Sequence, residues 1–455
     1  MTLDRNSGSE LERPIRTLDD LVSYFRGGEK PPERWRVGLE HEKLGLQLEE
    51  LRPVPYEGER GIGELLQRIG RSDGWQRVYE GSTLVALDRE VGSVTLEPGG
   101  QFEFSGRPAR TVHELRRDLE THIELVKRES EPLGLVWLAL GNQPLHDVAD
   151  IPRMPKERYR IMREYLPQRG ALALDMMHVT ASVQASFDFA DEADMTAKLR
   201  VGLGLAPIVS ALFANSSLAA GKPSGFVSRR IHIWRNTDPD RCGLLPFVFE
   251  PGFGYRRYAE WALDVPMFFI VRGGRYLPMH GKTFRAFWAE GHQGEVATLA
   301  DFERHLTTLF PEARLKRLIE VRSADAVALP LAVAVPALWK GLLYHAGARE
   351  AALRLAGAWD AEEREGALDA VARAGLAARV GGRAVLDLAR EAVAIAGQGL
   401  RALGHRDAGG QDEAALLDPL LQVLERGASP GQVVLERWEG EWRRSPRRLI
   451  DATRY

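Results

Sequence analysis

Cysteine is almost missing from this chain. Its 455 residues include one, Cys242, so neither an intrachain disulfide nor a cysteine-based zinc site can form. A reducing, cytoplasmic setting is the expectation that follows. An excess of charge of either sign is also missing. The 61 Lys and Arg stand against 64 Asp and Glu, which points to no nucleic-acid partner and no membrane surface. No stretch approaches 18 uncharged apolar residues, so no transmembrane helix is expected. The opening MTLDRNSGSELERP mixes acids and bases without an apolar run and reads as no signal peptide. No repeat of fixed period occurs. Several chemical motifs are absent as well. Gly221-Lys222-Pro223-Ser224 lacks the spacing of a phosphate-binding G-x-x-x-x-G-K-[ST] loop. No G-x-G-x-x-G follows a strand, His41-Glu42 has no second histidine three residues on, and no G-x-S-x-G elbow is present. A nucleotide bound here would be held through metal-coordinated phosphates on a sheet rather than by a glycine cradle.

What is present is led by Trp35–Gln47, WRVGLEHEKLGLQ. Read as a strand, it sets Val37, Leu39 and His41 on one face and Gly38, Glu40, Glu42 and Leu44 on the other. Glu40 and Glu42 then point the same way, roughly 7 Å apart by strand rise. Like charges at that spacing repel unless a cation lies between them, and oxygen ligands suit Mg²⁺ or Mn²⁺. The plain alternative is an edge strand with a solvated acidic face.

The same two-residue period recurs. In His178–Phe189, the apolar side carries Val179 to Phe189 and the polar side carries His178, Thr180, Ser182, Gln184, Ser186 and Asp188. In Ser93–Ser105, Leu96, Phe102 and Phe104 oppose Glu97, Gln101, Glu103 and Ser105, if the Pro98-Gly99-Gly100 break preserves parity. In Leu315–Ser323, Ile319 and Val321 oppose Glu320 and Arg322. In Phe226–Trp234, Val227, Ile231 and Ile233 oppose Ser228, Arg230, His232 and Trp234, with Arg229 out of place on the apolar side. Such patterning predicts an antiparallel sheet with one face on a core. Its polar faces concentrate Glu, Gln, Arg, His and Trp, which need partners. Glu40, Glu42, Glu97, Glu103 and Glu320, with Arg230 and Arg322, either converge on one concave surface or belong to strands whose faces never meet.

Helices are predicted at Thr17–Gly27, with Thr17 as N-cap and Asp20 at the capping-box position, and at Gly61–Gly70, Thr111–Leu133, Ala193–Ala214 (broken at Pro207), Leu299–Leu309 and Pro330–Tyr344. Leu263–Val271 and Tyr276–Met279 read as strands flanking a Gly273-Gly274 turn. Pro152–Leu166 is basic and punctuated by proline, a surface loop with a short helix. From about Ala346 the composition turns to Ala, Arg, Leu and Glu with a 3.6-residue period. The expected organisation is a catalytic domain over 1–345 and a helical portion, 346–455, packed on it.

The segments LEHEKLGL (39–46), LEPGGQFEFSG (96–106), ANSSLAAGKPSGF (214–226), RIHIWRNTDPDRCG (230–243), LDVPMFF (263–269) and TTLFPEARLKRLIEVRSADA (307–326) closely resemble glutamate–cysteine ligases of the form found in plants and many proteobacteria. The resemblance runs in order over about residues 20–345. It implies an α+β fold like that of glutamine synthetase: a curved antiparallel sheet forming a carboxylate-lined funnel, with helices around it. It implies ATP-dependent joining of the L-glutamate side-chain carboxylate to the L-cysteine amine through γ-glutamyl phosphate, the first step of glutathione synthesis, with Mg²⁺ or Mn²⁺. Carried over by motif, Glu40, Glu42, Glu97, Glu103 and Glu320 are implied as metal ligands, with Glu320 also catalytic. Arg322 is implied at the transferring phosphate, Lys316 beside ATP, and Arg230 and Trp234 around glutamate. Gln184 and Thr180 are implied on the acceptor side. The partners are then small molecules, in a monomer or homodimer without nucleic acid or membrane. Plant enzymes of this kind carry cysteines for regulatory disulfides; with Cys242 alone, and no transit peptide read at the start, an intramolecular redox switch is not expected. Two other readings stay open: a related ligase that joins glutamate to a different amine, and an inactive relative that only binds.

Overall fold

The alternation around Glu40 becomes strand β1, Val37–Gln47, in a computed structural model that describes residues 11–72 and 74–455. The first ten residues, where no signal peptide is expected, lie outside the described residues. With β1 stand β2 (Arg52–Pro53), β3 (Gln76–Glu80), β4 (Thr83–Arg89), β5 (Gly92–Leu96), β6 (Phe102–Gly106), β7 (Leu135–Leu138), β8 (Ser182–Phe187), β9 (Ala313–Leu315) and β10 (Ile319–Asp325). Among the described residues these ten form one sheet in the order β9-β10-β8-β1-β6-β5-β4-β3, with β2 and β7 also paired to β1. Every pairing in it is antiparallel. The sheet stays open, ending in β9 on one side and β3 on the other. The fold is α+β.

The apolar alternation sets the register. Val37, Leu39, Phe102, Phe104, Val183, Phe187, Ile319 and Val321 are buried, and each such side chain contributes about 1.5–3 kcal/mol. A slip of one residue in β1 would drive Glu40 and Glu42 into that core. Helix Val112–Ser130 packs on β1, β6 and β7, helix Leu329–Leu343 on β8 and β1, and helix Ala206–Leu212 on β10. Thr111 caps the first of these, its hydroxyl accepting from Glu114 N at 3.3 Å. Among the described residues no single helix is long and apolar enough to cross a membrane.

The helices after Ala346 contribute residues to the same core. Helix Val385–Leu403 approaches Leu329–Leu343 so closely that a Cβ at Gly341 would lie 2.2 Å from the Ala396 carbonyl oxygen. Glycine is required by that approach. The buried pair Lys340–Glu413, at 2.7 Å, ties the same helix to Glu413–Leu417.

Four strand expectations are corrected. Phe226–Trp234 is not a strand but contains helix Arg229–Arg235. Ser228 caps it, accepting from Ile231 N at 3.3 Å, and that capped turn outcompetes the short alternation. His178 and Val179 end helix Ala173–Val179, so the strand begins only at Ser182. Leu315–Ser323 splits into the β9–β10 hairpin, with Lys316 in its turn. Leu263 belongs to helix Tyr255–Asp264; the hairpin around Gly273-Gly274 pairs Phe269–Arg272 with Arg275–Pro278.

Candidate active site

The polar faces do meet. One cleft is lined by Glu40 and Glu42 of β1, Thr95 of β5, Glu97 and Gln101 from the β5–β6 turn, and Glu103 of β6. Thr180, Ser182 and Gln184 line it from β8 and the residues before it, and Arg314, Lys316 and Arg322 from the β9–β10 hairpin. Helix Arg229–Arg235 adds Arg230 and Trp234, which its four-residue spacing puts on one face. The correction from strand to helix therefore keeps both residues in the site. It also accounts for Arg229, which turns away to pair with Asp175 at 2.8 Å. His232 lies against Phe226, ring on ring.

The register makes the acidic part of the cleft crowded. Glu42 and Glu103 are directly opposite on β1 and β6, an arrangement that costs stability for two like charges. Ser182 donates to Glu42 Oε2 from its backbone N at 2.6 Å and from its hydroxyl at 3.1 Å. Glu103 Oε1 accepts from Thr95 and Ser105 hydroxyls, each at 3.0 Å. Burial would raise Glu103, but its two hydroxyl donors and the nearby Lys156 charge help hold it below the usual carboxylate range; the donors to Glu42 do not balance its charge. Loss of water, with repulsion from Glu103 and Glu97, pushes Glu42 up to about 8. Loss of water and then Glu103 raise Glu97 to about 7. Glu40 is raised as well, by desolvation and then by Glu320. At its turn, Gly99 lies against His178; a Cβ there would sit 2.1 Å from the His178 carbonyl oxygen.

Glu320 differs. It is fully buried, and its carboxylate is enclosed by Arg314 at 2.6 Å, Lys316 at 2.7 Å and Arg322 at 2.7 Å. Burial alone would raise Glu320, but those three cations hold it well below the usual carboxylate range. Burial disfavours charge on Arg322, yet Glu320 more than offsets that and raises it. Both its oxygens lie within ion-pair distance of cations of the chain. From Arg322 the contacts run inward. Its Nη1 donates to Gln184 Oε1 at 2.5 Å, Gln184 Nε2 donates to the Ser182 hydroxyl at 3.1 Å, and Ser182 reaches Glu42. One string of hydrogen bonds joins β10, β8 and β1.

A bulge aims Arg322. Val321 pairs with Ala185 but Ala324 with Val183, so one extra residue of β10 faces Gln184. The bulge also turns Asp325 toward Arg230, 3.8 Å away. Asp325 accepts from Asn215 N at 2.7 Å, Ser216 at 2.6 Å and Ser228 at 3.1 Å. Arg230 Nη2 donates to the Arg322 carbonyl at 2.9 Å, and both guanidinium groups lie over the Trp234 ring. Among the described residues the Trp234 ring N–H has no hydrogen-bond partner. Thr180 donates its hydroxyl to the Met176 carbonyl at 2.7 Å, fixing the end of helix Ala173–Val179.

Sequence reasoning missed Lys156, Arg158 and Tyr159, which it placed on the surface; they line the cleft. Lys156 is lowered to about 8 by burial, which outweighs the pull of Glu97. Arg314 was missed too, although it shares parity with Lys316 and stands opposite Glu320. Nothing in the Pro152–Leu166 pattern marks its cleft residues. A second hollow lies on the other side of Glu40, bordered by Lys30, Arg36, Gly38, Ser105 and Ser186.

A family model described as glutamate–cysteine ligase family 2 matches residues 36–452. The chain belongs to that family. The match crosses residue 345 and takes in the helical portion. Among named family relatives, the chloroplastic glutamate–cysteine ligase of Medicago truncatula is 42% identical over 442 residues, 96% of this chain and 85% of that protein. That of Arabidopsis thaliana is 42% identical over 432 residues, 94% of this chain and 81% of that one. A solved structure of Francisella tularensis glutamate–cysteine ligase in complex with AMP shares the fold, with a TM-score of 0.55 at 12% identity, covering 92% of this chain and 87% of that chain.

The site's fit to a divalent cation rests on its donor set. Among the described residues no three carboxylate, histidine or cysteine side chains are grouped tightly enough to hold a metal as placed. Glu40, Glu42, Glu97 and Glu103 nevertheless line one wall of hard oxygen donors, with repulsion that a cation would relieve.

Proposed function

We propose that this chain joins the side-chain carboxylate of L-glutamate to the amine of L-cysteine with ATP, the first step of glutathione synthesis. The carrying observation is the division of one cleft into four crowded carboxylates and a facing set of cations, in a chain of this family. A carboxylate resists attack by an amine because oxide is a poor leaving group. Transfer of the γ-phosphoryl group from ATP makes an acyl phosphate, and the amine then displaces phosphate through a tetrahedral intermediate. Phosphoryl transfer calls for positioning and charge neutralisation more than for a protein nucleophile.

The residues divide accordingly. Glu40, Glu42, Glu97 and Glu103 would hold Mg²⁺ or Mn²⁺, which supplies charge neutralisation for the phosphates. Arg322, fixed by Glu320 and Gln184, faces the cleft as a permanent cation for the phosphoryl group in transfer. Lys316 and Arg314 complete that cationic side. Arg230, held by Asp325 and lying on Trp234, grips the glutamate α-carboxylate. Thr180 and Gln184 lie on the acceptor side. Glu40 borders both hollows, so the nucleoside end of ATP fits the smaller one while its phosphates lie over the carboxylates. A reducing cytoplasm belongs to the same reading.

ADP release measured with glutamate, Mg²⁺ and a panel of amines tests the proposal. Turnover should require cysteine. Turnover with another amine alone would make the chain a related ligase, and none with any amine would leave it a binding protein.

A further inference from the structure

The back of β1 carries a second hydrogen-bonded string that the proposed chemistry does not use. His41 lies between Glu40 and Glu42 in sequence and points to the opposite face. Its Nε2 is 2.7 Å from the Tyr455 hydroxyl, and its Nδ1 is 3.3 Å from Lys43 Nζ. The Tyr455 hydroxyl also lies 2.9 Å from the Val327 carbonyl oxygen. A tyrosine has one hydrogen to give. Given to Val327, it leaves the hydroxyl an acceptor toward His41. His41 must then carry its proton on Nε2 and offer the Nδ1 lone pair to Lys43. All three contacts are satisfied by that single tautomer.

The ring is thus held at both nitrogens, and by groups from two places. Tyr455 is itself seated on the sheet: its N donates to the Trp137 carbonyl at 3.0 Å, and Ala139 N donates to Thr453 O at 2.8 Å. Trp137 is on β7, which pairs with β1. Val327 follows Asp325, the anchor of Arg230, by two residues. One hydroxyl therefore ties the backbone that bears Glu40 and Glu42 to the segment that holds the arginine side.

We infer that Tyr455, acting through His41, is a positioning residue for the Glu40–Glu42 pair. It touches no substrate. It sets the peptide planes from which the two carboxylates project, so its loss should loosen their spacing. This rests on the metal-dependent ligase reading above, and its test is chosen to fail separately from that reading.

The test compares the intact chain with Tyr455→Phe, which keeps the ring and removes the hydroxyl. Mn²⁺ binding to the protein alone, followed by calorimetry, should weaken about tenfold, the lower end for groups that orient metal ligands. In Mg²⁺-dependent ADP release, kcat should fall by about the same factor while the KM for cysteine stays within about twofold. His41→Gln should produce a similar loss, and the double variant no more than either single one. Histidine ¹⁵N spectra should show the Nε2–H tautomer in the intact chain and its loss in Tyr455→Phe. Unchanged Mn²⁺ affinity in Tyr455→Phe, additive losses in the double variant, or an Nδ1–H tautomer in the intact chain would overturn the inference. An intact chain that shows no ADP release would overturn the ligase reading instead, and the Mn²⁺ and tautomer results would still decide the role of Tyr455.

Discussion

Glu42 and Glu320 stand on the same sheet, separated by β8, Glu42 half-buried in the cleft and Glu320 fully buried. Their states are opposite. Glu42 faces Glu103 across a strand pair and is pushed up to about 8 by lost hydration and its neighbours. Glu320 is the more deeply buried of the two, yet it is ringed by Arg314, Lys316 and Arg322 and stays ionised. Burial alone therefore says little about what a carboxylate does; the balance of charge around it decides. A carboxylate matched within the chain is paired by its own cations, and one left in excess is not.

The comparison breaks if Glu320 can be neutralised without harm. Glu320→Gln leaves three cations facing one another without their anion, two of them buried. Breaking such a group costs about 3–5 kcal/mol, so denaturant unfolding of the metal-free protein should show a loss of that size. An unchanged midpoint would remove the distinction drawn here. Glu97→Gln should behave in the opposite way. It relieves repulsion, so the metal-free protein should melt at the same temperature or higher, while Mg²⁺-dependent ADP release falls on the order of 100-fold through a misplaced phosphate. Lower stability with near-normal turnover would show Glu97 to be an ordinary paired carboxylate.

Arg230→Lys tests the matched side more gently. Lysine keeps the charge but lacks the planar fork. Loss of one charge-assisted hydrogen bond should raise the KM for glutamate about tenfold and leave that for ATP nearly unchanged. Equal rises in both constants would place Arg230 away from glutamate.

The smallest expected effect is on pH dependence. Glu42 and Glu97 bind protons more tightly in the folded chain than in the unfolded one, where a glutamate titrates near about 4.3. The folded state then holds more protons between that value and about 8, the level of Glu42, with Glu97 at about 7. The contribution of these two groups to the stability of the metal-free protein should fall as pH rises across that window. Between pH 6 and pH 8.5 the intact protein should therefore lose melting temperature relative to Glu42→Gln, and Mg²⁺ should flatten the difference. The same pH dependence in both proteins without metal would contradict the raised state of Glu42.

How much of this was legible depends on how local each cause is. The two-residue period named β1, β6 and β10 and placed Glu40, Glu42, Glu97 and Glu103 on polar faces, because alternation follows from backbone geometry alone. The hairpin at Pro98-Gly99-Gly100 kept its parity: Leu96 pairs with Phe102. Capping at Thr17 and Thr111 was readable for the same reason. The stretch Phe226–Trp234 misled because so few residues satisfy a strand and a short helix equally well, and the hydroxyl of Ser228 decided between them. Lys156, Arg158 and Tyr159 could not be found, since a basic, proline-marked segment looks alike on a surface and over a cleft.

By itself, then, the chain's residue order determined which carboxylates share a face, that no disulfide constrains them, and to which family they belong. Tertiary structure decided which of them are in excess. That question depends on which cations come within about 3 Å of which oxygens, and charge interactions fall off with distance through space rather than along the chain. Arg314, six residues before Glu320, meets it only because the β9–β10 hairpin folds back. His41 and Tyr455, 414 residues apart, meet only because the last helix returns to the sheet behind the carboxylates.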